Sequence, residues 1–151
     1  MSAARLASAT TLIVLPNGRI LVVGGLDGAG GCLASAEYYD PVLAAWGSAG
    51  RMSVARCFHA ATLTASGSVL VAGGVFEERG PALSSGELYD PVSNTWTQAA
   101  DMTEARQGLA AALLPSGDVL VAGGMDPRRP NANAVVSNSS ELFHPVGRPP
   151  R

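Results

Sequence analysis

The chain has 151 residues, 47% hydrophobic and 15% charged, with a formal net charge of −2. That balance suits a folded core and excludes a disordered tail. All ten cationic side chains are arginines, spread along the chain and offset by twelve acids, so no basic stripe exists to neutralise a nucleic acid.

The first element is an apolar run, "SATTLIVLPNGRILVVGG", from Ser8 to Gly25. No apolar run reaches the ~18 residues that would span a bilayer. "MSAARLASATTLIVLPNG" superficially resembles a signal peptide, but its pattern recurs inside the chain, so it is read as a first repeat. The recurrences are "MSVAR" at Met52 and "MTEAR" at Met102. Double glycines follow at Gly24–Gly25, Gly73–Gly74 and Gly123–Gly124, spaced by 49 and 50 residues. "SAEYYDP", "SGELYDP" and "SSELFHP" end on Pro41, Pro91 and Pro145. Trp46 and Trp96 each stand five residues after a proline; the third copy has no tryptophan.

Each repeat reads as four short strands. Strand A is the apolar run, as at Phe58 to Leu63. Asn17-Gly18, Ser66-Gly67 and Ser116-Gly117 supply a two-residue hairpin signal. Strand B is "RILVVGG", "SVLVAGG" or "DVLVAGG", and strand C is "AEYYD" or "GELYD". Asp-Pro opens a second turn, and strand D begins near Trp46 or Trp96. The apolar A and B runs are expected to be covered on both faces. The third repeat is expected to lack its outer strand. Cys32 and Cys57 occupy non-equivalent repeat positions and are expected to be unpaired structural residues, although they could pair.

A period near 50, a double glycine closing strand B, then a tyrosine and a tryptophan resemble the kelch repeat. The Arg-x-x-His-Ala-Ala-Thr-Leu wording of the second copy is similar to bacterial and galactose-oxidase-type kelch repeats. The resemblance implies an all-β fold in which each repeat forms one four-stranded blade of a β-propeller. The expected organisation is a single domain with blades at about residues 1–51, 52–101 and 102–151. Propellers usually close with about four to eight blades. Three blades therefore imply an incomplete ring, completed to six by dimerisation or belonging to a longer propeller.

Gly24, Gly25, Gly73, Gly74, Gly123 and Gly124 are expected to let a neighbouring backbone or ring approach, with Tyr39, Tyr89, Trp46 and Trp96 as the large partners. Strand order places the start of strand A and the variable segments after strand B on one rim. Variable loops on a rigid scaffold are where recognition usually lives. Arg5, Arg56 and Arg106 open strand A on that rim. The resemblance implies them as contacts for an acidic peptide, as in other kelch propellers. The competing reading pairs them across blades with Glu37, Glu87 and Glu141, which also repeat once per blade. Glu77, Glu78, Arg79, Arg128 and Arg129 in the variable loops are the other candidate partner contacts.

The expected function is a binding or scaffolding module for a protein or acidic ligand, with no cofactor, metal or nucleic acid, and with homo-oligomer formation. The alternatives are a fragment of a galactose-oxidase-like copper oxidase, or a truncated gene product without function. The copper enzyme uses two tyrosines, two histidines and a tyrosine–cysteine crosslink. Here Tyr38, Tyr39, Tyr89, His59, His144, Cys32 and Cys57 raise the question, but their repeat positions read as packing positions. No GxSxG, HExxH, P-loop or paired-carboxylate signature accompanies them. The compartment is not legible.

Overall fold

A computed structural model describes residues 1–6, 10–77, 80–126 and 136–144. The described residues form three antiparallel sheets and no helix. The first contains β1 (Thr11–Val14), β2 (Ile20–Val23), β3 (Ser35–Asp40) and β4 (Ala45–Arg51), in that spatial order. The second repeats it with β5 (Ala60–Leu63), β6 (Val69–Ala72), β7 (Gly86–Asp90) and β8 (Thr95–Gln98). The third has only β9 (Ala110–Leu113), β10 (Val119–Ala122) and β11 (Ser140–Phe143). Among the described residues these are three blades of an incomplete propeller, the last without an outer strand.

The first hairpin in each blade differs from the two-residue expectation. Gly18 donates its amide to the Leu15 carbonyl, and Leu15 donates to Arg19. The same pair of bonds recurs at Gly67–Thr64 with Thr64–Ser68, and at Gly117–Leu114 with Leu114–Asp118. The glycine, at φ +81° in Gly18, is the left-handed residue that ends a three-residue loop. At the second turn, Asp40 accepts from Val42 and Leu43, and Asp90 from Val92.

Strand B is the buried strand. All four residues of β6 are buried, whereas β1 and β9 are largely exposed. Strand A is therefore not covered on both faces in the outer blades, because no sheet lies beyond them among the described residues. The seam between blades one and two joins Ile13, Leu21 and Val23 to Val69, Val71 and Tyr89. The seam between two and three joins Leu70, Ala72 and Ala99 to Val119 and Val121. Residues alternate along each strand, so one face of blade two serves each seam.

Of the two expected partners of the double glycines, it is the neighbouring backbone and not the rings that approaches. Gly25 donates its amide to the Arg56 carbonyl at 2.8 Å, and Gly74 donates to the Arg106 carbonyl at 2.8 Å. A Cβ at Gly24 would stand 2.5 Å from the Arg56 oxygen, and one at Gly73 would stand 2.6 Å from the Arg106 oxygen. The pair thus lets the next blade's backbone dock directly. The rings go elsewhere: Tyr39 packs on Trp46 and Tyr89 on Trp96, with centroids 5.4 and 5.0 Å apart.

Candidate functional site

The rim that bears the B-to-C loops is organised by short backbone bridges. Leu26 pairs with Cys32, Val75 with Ala82 and Met125 with Val136, pinching each loop at its base. Cys57–Val75 and Gln107–Met125 bridge each loop to the start of strand A. Gly31–Glu77 joins the first loop to the second. The sequence expectation of unpaired cysteines is corrected here: Cys32 and Cys57 form a disulfide, with Cα atoms 5.3 Å apart. The two cysteines occupy different repeat positions because they link different blades. Cys32 lies in the first loop, and Cys57 follows Arg56 at the entry to blade two. Leu26, Val75 and Phe58 pack around the bond.

Beneath the rim lies a constellation repeated three times. Arg5 Nη1 donates to the carbonyls of Gly24 and Ser35, at 2.7 and 2.9 Å. Its Nη2 donates to Ser35 Oγ and Glu37 Oε2, at 2.9 and 3.1 Å. Arg56 makes the same bonds to Gly73, Ser85 and Glu87. Arg106 makes them to Gly123, Ser139 and Glu141, and also meets Glu104 at 3.1 Å. The ion pairs therefore form within a repeat and not across blades. Arg56 and Arg106 are buried, and the Arg5 side chain is 2% exposed. Burial pulls the Arg56 pKa down, while Glu87 opposes that pull.

Each glutamate also caps the turn that precedes strand A. Glu37 accepts the Ser2 amide at 2.6 Å, Glu87 the Ser53 amide at 2.7 Å, and Glu141 the Thr103 amide at 2.5 Å. Burial raises the Glu37 pKa, but the bonds from Ser2 and Arg5 outweigh it and hold the carboxyl at about 2. Burial likewise opposes the bonds from Thr103 and Arg106 at Glu141, and the net shift is downward. The constellation locks the double glycine, the loop exit and the turn to one another. Sequence reading missed its serine, although Ser35, Ser85 and Ser139 each stand two residues before the glutamate.

Of the loop candidates, Glu77 is exposed at the bridge between loops, beside Phe76, which is 42% exposed. Phe76 was not singled out from sequence, where it reads as one more apolar residue. Glu78, Arg79, Arg128 and Arg129 lie outside the described residues. The residues that raised the copper question are dispersed. His59 is 7% exposed against the double glycine of blade one, and burial and then Arg56 hold its pKa down at about 4. His144 pairs with Asp118 at 3.0 Å on the edge of blade three. Both cysteines are spent on each other. No group of three His, Cys, Asp or Glu side chains gathers in metal-binding geometry among the described residues.

Two stretches, residues 11–53 and 56–103, match the family model described as the Kelch motif. No curated protein matches the chain. The two matched stretches coincide with the two four-stranded blades.

Proposed function

Because the chain belongs to the kelch-motif family, we propose that it is an interaction module that recognises a protein partner through the rim carrying its variable loops. The observation that carries this reading is the exposed pair Phe76 and Glu77 on a loop tied to its neighbour through Gly31. An exposed aromatic on a fixed backbone offers contact area at small entropic cost. The buried arginines serve this rim as its frame. Arg5, Arg56 and Arg106 already hold Glu37, Glu87 and Glu141, so they do not offer a free charge to an acidic partner.

A photo-crosslinking residue placed at Phe76 tests the reading in extract from the source organism. A discrete adduct at Phe76, absent when the probe sits at Val92 on the opposite rim, supports it. Adducts only at Val92 would assign recognition to the other face.

The end blades favour a second element of the reading. Leu12 and Val14 on blade one are 61% and 64% exposed, while their repeat counterparts Ala61 and Leu63 pack into the first seam. We propose that another sheet of the same kind covers this face, from a second copy or from further repeats. Light scattering distinguishes the two. A discrete mass twice 15.3 kDa supports a six-blade dimer, and a monodisperse monomer would remove it.

A further inference from the structure

Phe76 sits inside a closed circuit of the fold. Cys57 pairs with Val75 on one side of it, and Gly31 pairs with Glu77 on the other. Gly31 precedes Cys32, and Cys32 is bonded to Cys57. The disulfide therefore joins the two backbones that hold Phe76 from either flank. In the next blade Ala82 stands where Cys32 stands, since it pairs with Val75 as Cys32 pairs with Leu26. Gln107 stands where Cys57 stands, pairing with Met125 as Cys57 pairs with Val75. The chain's two cysteines thus meet at one seam, beside the exposed rim aromatic.

Other features suit a bond that opens and closes. The seam keeps its backbone ladder without it: Met52 donates to the Ala34 carbonyl at 2.9 Å, and Arg56 to the Leu33 carbonyl at 3.0 Å. Released thiols therefore stay neighbours, ready to rejoin. Cys57 is fully buried with Leu26 and Val75, whereas Cys32 is half-buried, so a reductant meets Cys32 Sγ first. Phe58 packs on the same cluster at φ +56°, where the third blade has Gly108 at +63°. A bulky residue keeps that backbone only under outside constraint, and the bond one residue earlier provides it.

We propose that Cys32–Cys57 is a redox switch that sets the position of Phe76, closed when oxidised and opened by a dithiol reductant. A thiolate of the dithiol attacks Cys32 Sγ; the S–S bond breaks, and Cys57 leaves and takes up a proton. The reductant's second thiol then displaces Cys32, which is protonated in turn, and the reductant departs as its own disulfide. Two electrons and two protons pass from the dithiol to the protein. Opening the circuit leaves Glu77 bridged to a loop without its covalent anchor, and frees Phe58 to leave the left-handed region. The consequence for binding rests on the reading of Phe76 as the rim's anchor; the movement itself does not.

4-Fluorophenylalanine placed at Phe76 in the full chain reports the movement with no partner present. The resonance of the oxidised protein is expected to give way to a shifted one under dithiothreitol, with the same midpoint as the appearance of free thiols, and to return on reoxidation. The Cys32→Ser, Cys57→Ser variant is expected to show the shifted signal throughout. The same label at Phe143, in β11, is expected not to respond. A Phe76 signal unchanged while the thiols titrate, or a Phe143 signal that moves with it, would overturn the switch. The photo-crosslinking residue at Phe76 then reads binding in extract prepared without reductant. The oxidised protein is expected to give at least about fivefold more adduct than the Cys32→Ser, Cys57→Ser variant. Equal adduct from the two would overturn control of recognition. No adduct from either would remove Phe76 as the anchor and leave the fluorine result to decide the switch.

Discussion

Trp96 donates its indole N–H to the Ala49 carbonyl at 2.7 Å, across the seam between the first two blades. Asn94 reaches the neighbouring Ser48 carbonyl at 3.4 Å, and Gly50 lies under the same ring. The clasp ties the outer strand of one blade to the outer strand of the one before. Trp46 is the repeat counterpart, yet it sits on the uncovered face, 42% exposed. Identical residues at identical repeat positions thus carry different energies.

Trp96→Phe keeps an aromatic against Tyr89 but orphans the Ala49 carbonyl. It is expected to cost about 1–2 kcal/mol in urea unfolding. Trp46→Phe is expected to stay within about 0.5 kcal/mol, as an exposed substitution. Equal losses would show that the indole bond contributes nothing beyond ring packing.

The contrast also marks what the sequence made legible. Strand order and the three repeats follow from period and spacing, which are local, as does the lack of an outer strand in blade three among the described residues. The competing reading of the arginines pairs them with the glutamates across blades, whereas the pairs close within each repeat. For the double glycine, the expected approach of a neighbouring backbone is what occurs, Gly25 meeting Arg56 of the next blade, whereas the rings named as large partners pack elsewhere. Repeat spacing says nothing about which atom crosses a seam. The disulfide was misread for the same reason: Cys32 and Cys57 are unrelated by the repeat and meet only once the blades stack. Phe76 gave no signal because an apolar residue in a loop becomes distinctive only when it is seen to be exposed.

The arginine frame predicts a stability effect in place of a local binding defect. Removing Arg56 leaves Glu87 buried without its cation and uncaps the Gly73 and Ser85 carbonyls. Arg56→Ala is expected to destabilise by about 3–5 kcal/mol, and Arg56→Lys to recover little because one ammonium cannot reproduce the fork. Arg19→Ala, which breaks a more exposed pair with Asp40, is expected to cost about 1 kcal/mol or less. Thermal melts of the three variants check this order. A stable Arg56→Ala that lost affinity for an acidic ligand would return the arginine to direct recognition.

Reduction tests the rim staple. The Cys32–Cys57 bond closes a 25-residue separation. Constraint of the unfolded chain by such a loop is worth roughly 3 kcal/mol. A Cys32→Ser, Cys57→Ser double variant is expected to melt lower than the oxidised protein. Reductant should lower the wild-type melt to a similar temperature and leave the variant unchanged. Because the bond anchors the first loop to blade two, hydrogen exchange should rise first around Leu26 and Leu33. A melt unaffected by reductant would mean that the thiols are not joined in solution.

His59 predicts the response to acid. Its ring lies buried against Gly24 and near Arg56, and its pKa is about 4 in the folded chain against an ordinary 6.5. The unfolded chain therefore takes up the proton first. Stability falls as pH drops from about 6.5 toward 4, by roughly 3 kcal/mol in all from this group. Glu37 then adds its own loss between about 4.5 and 2, since its folded pKa is depressed and its bonds to Ser2 and Arg5 need the carboxylate. Leu109 fills the equivalent position in blade three against Gly124, so leucine fits the site. His59→Leu is expected to flatten the stability profile from pH 6.5 to about 4.5 while keeping the loss that Glu37 adds below 4.5. Urea midpoints measured across that range check it. A variant whose profile between pH 6.5 and 4.5 still matched the wild type would place the titrating group elsewhere.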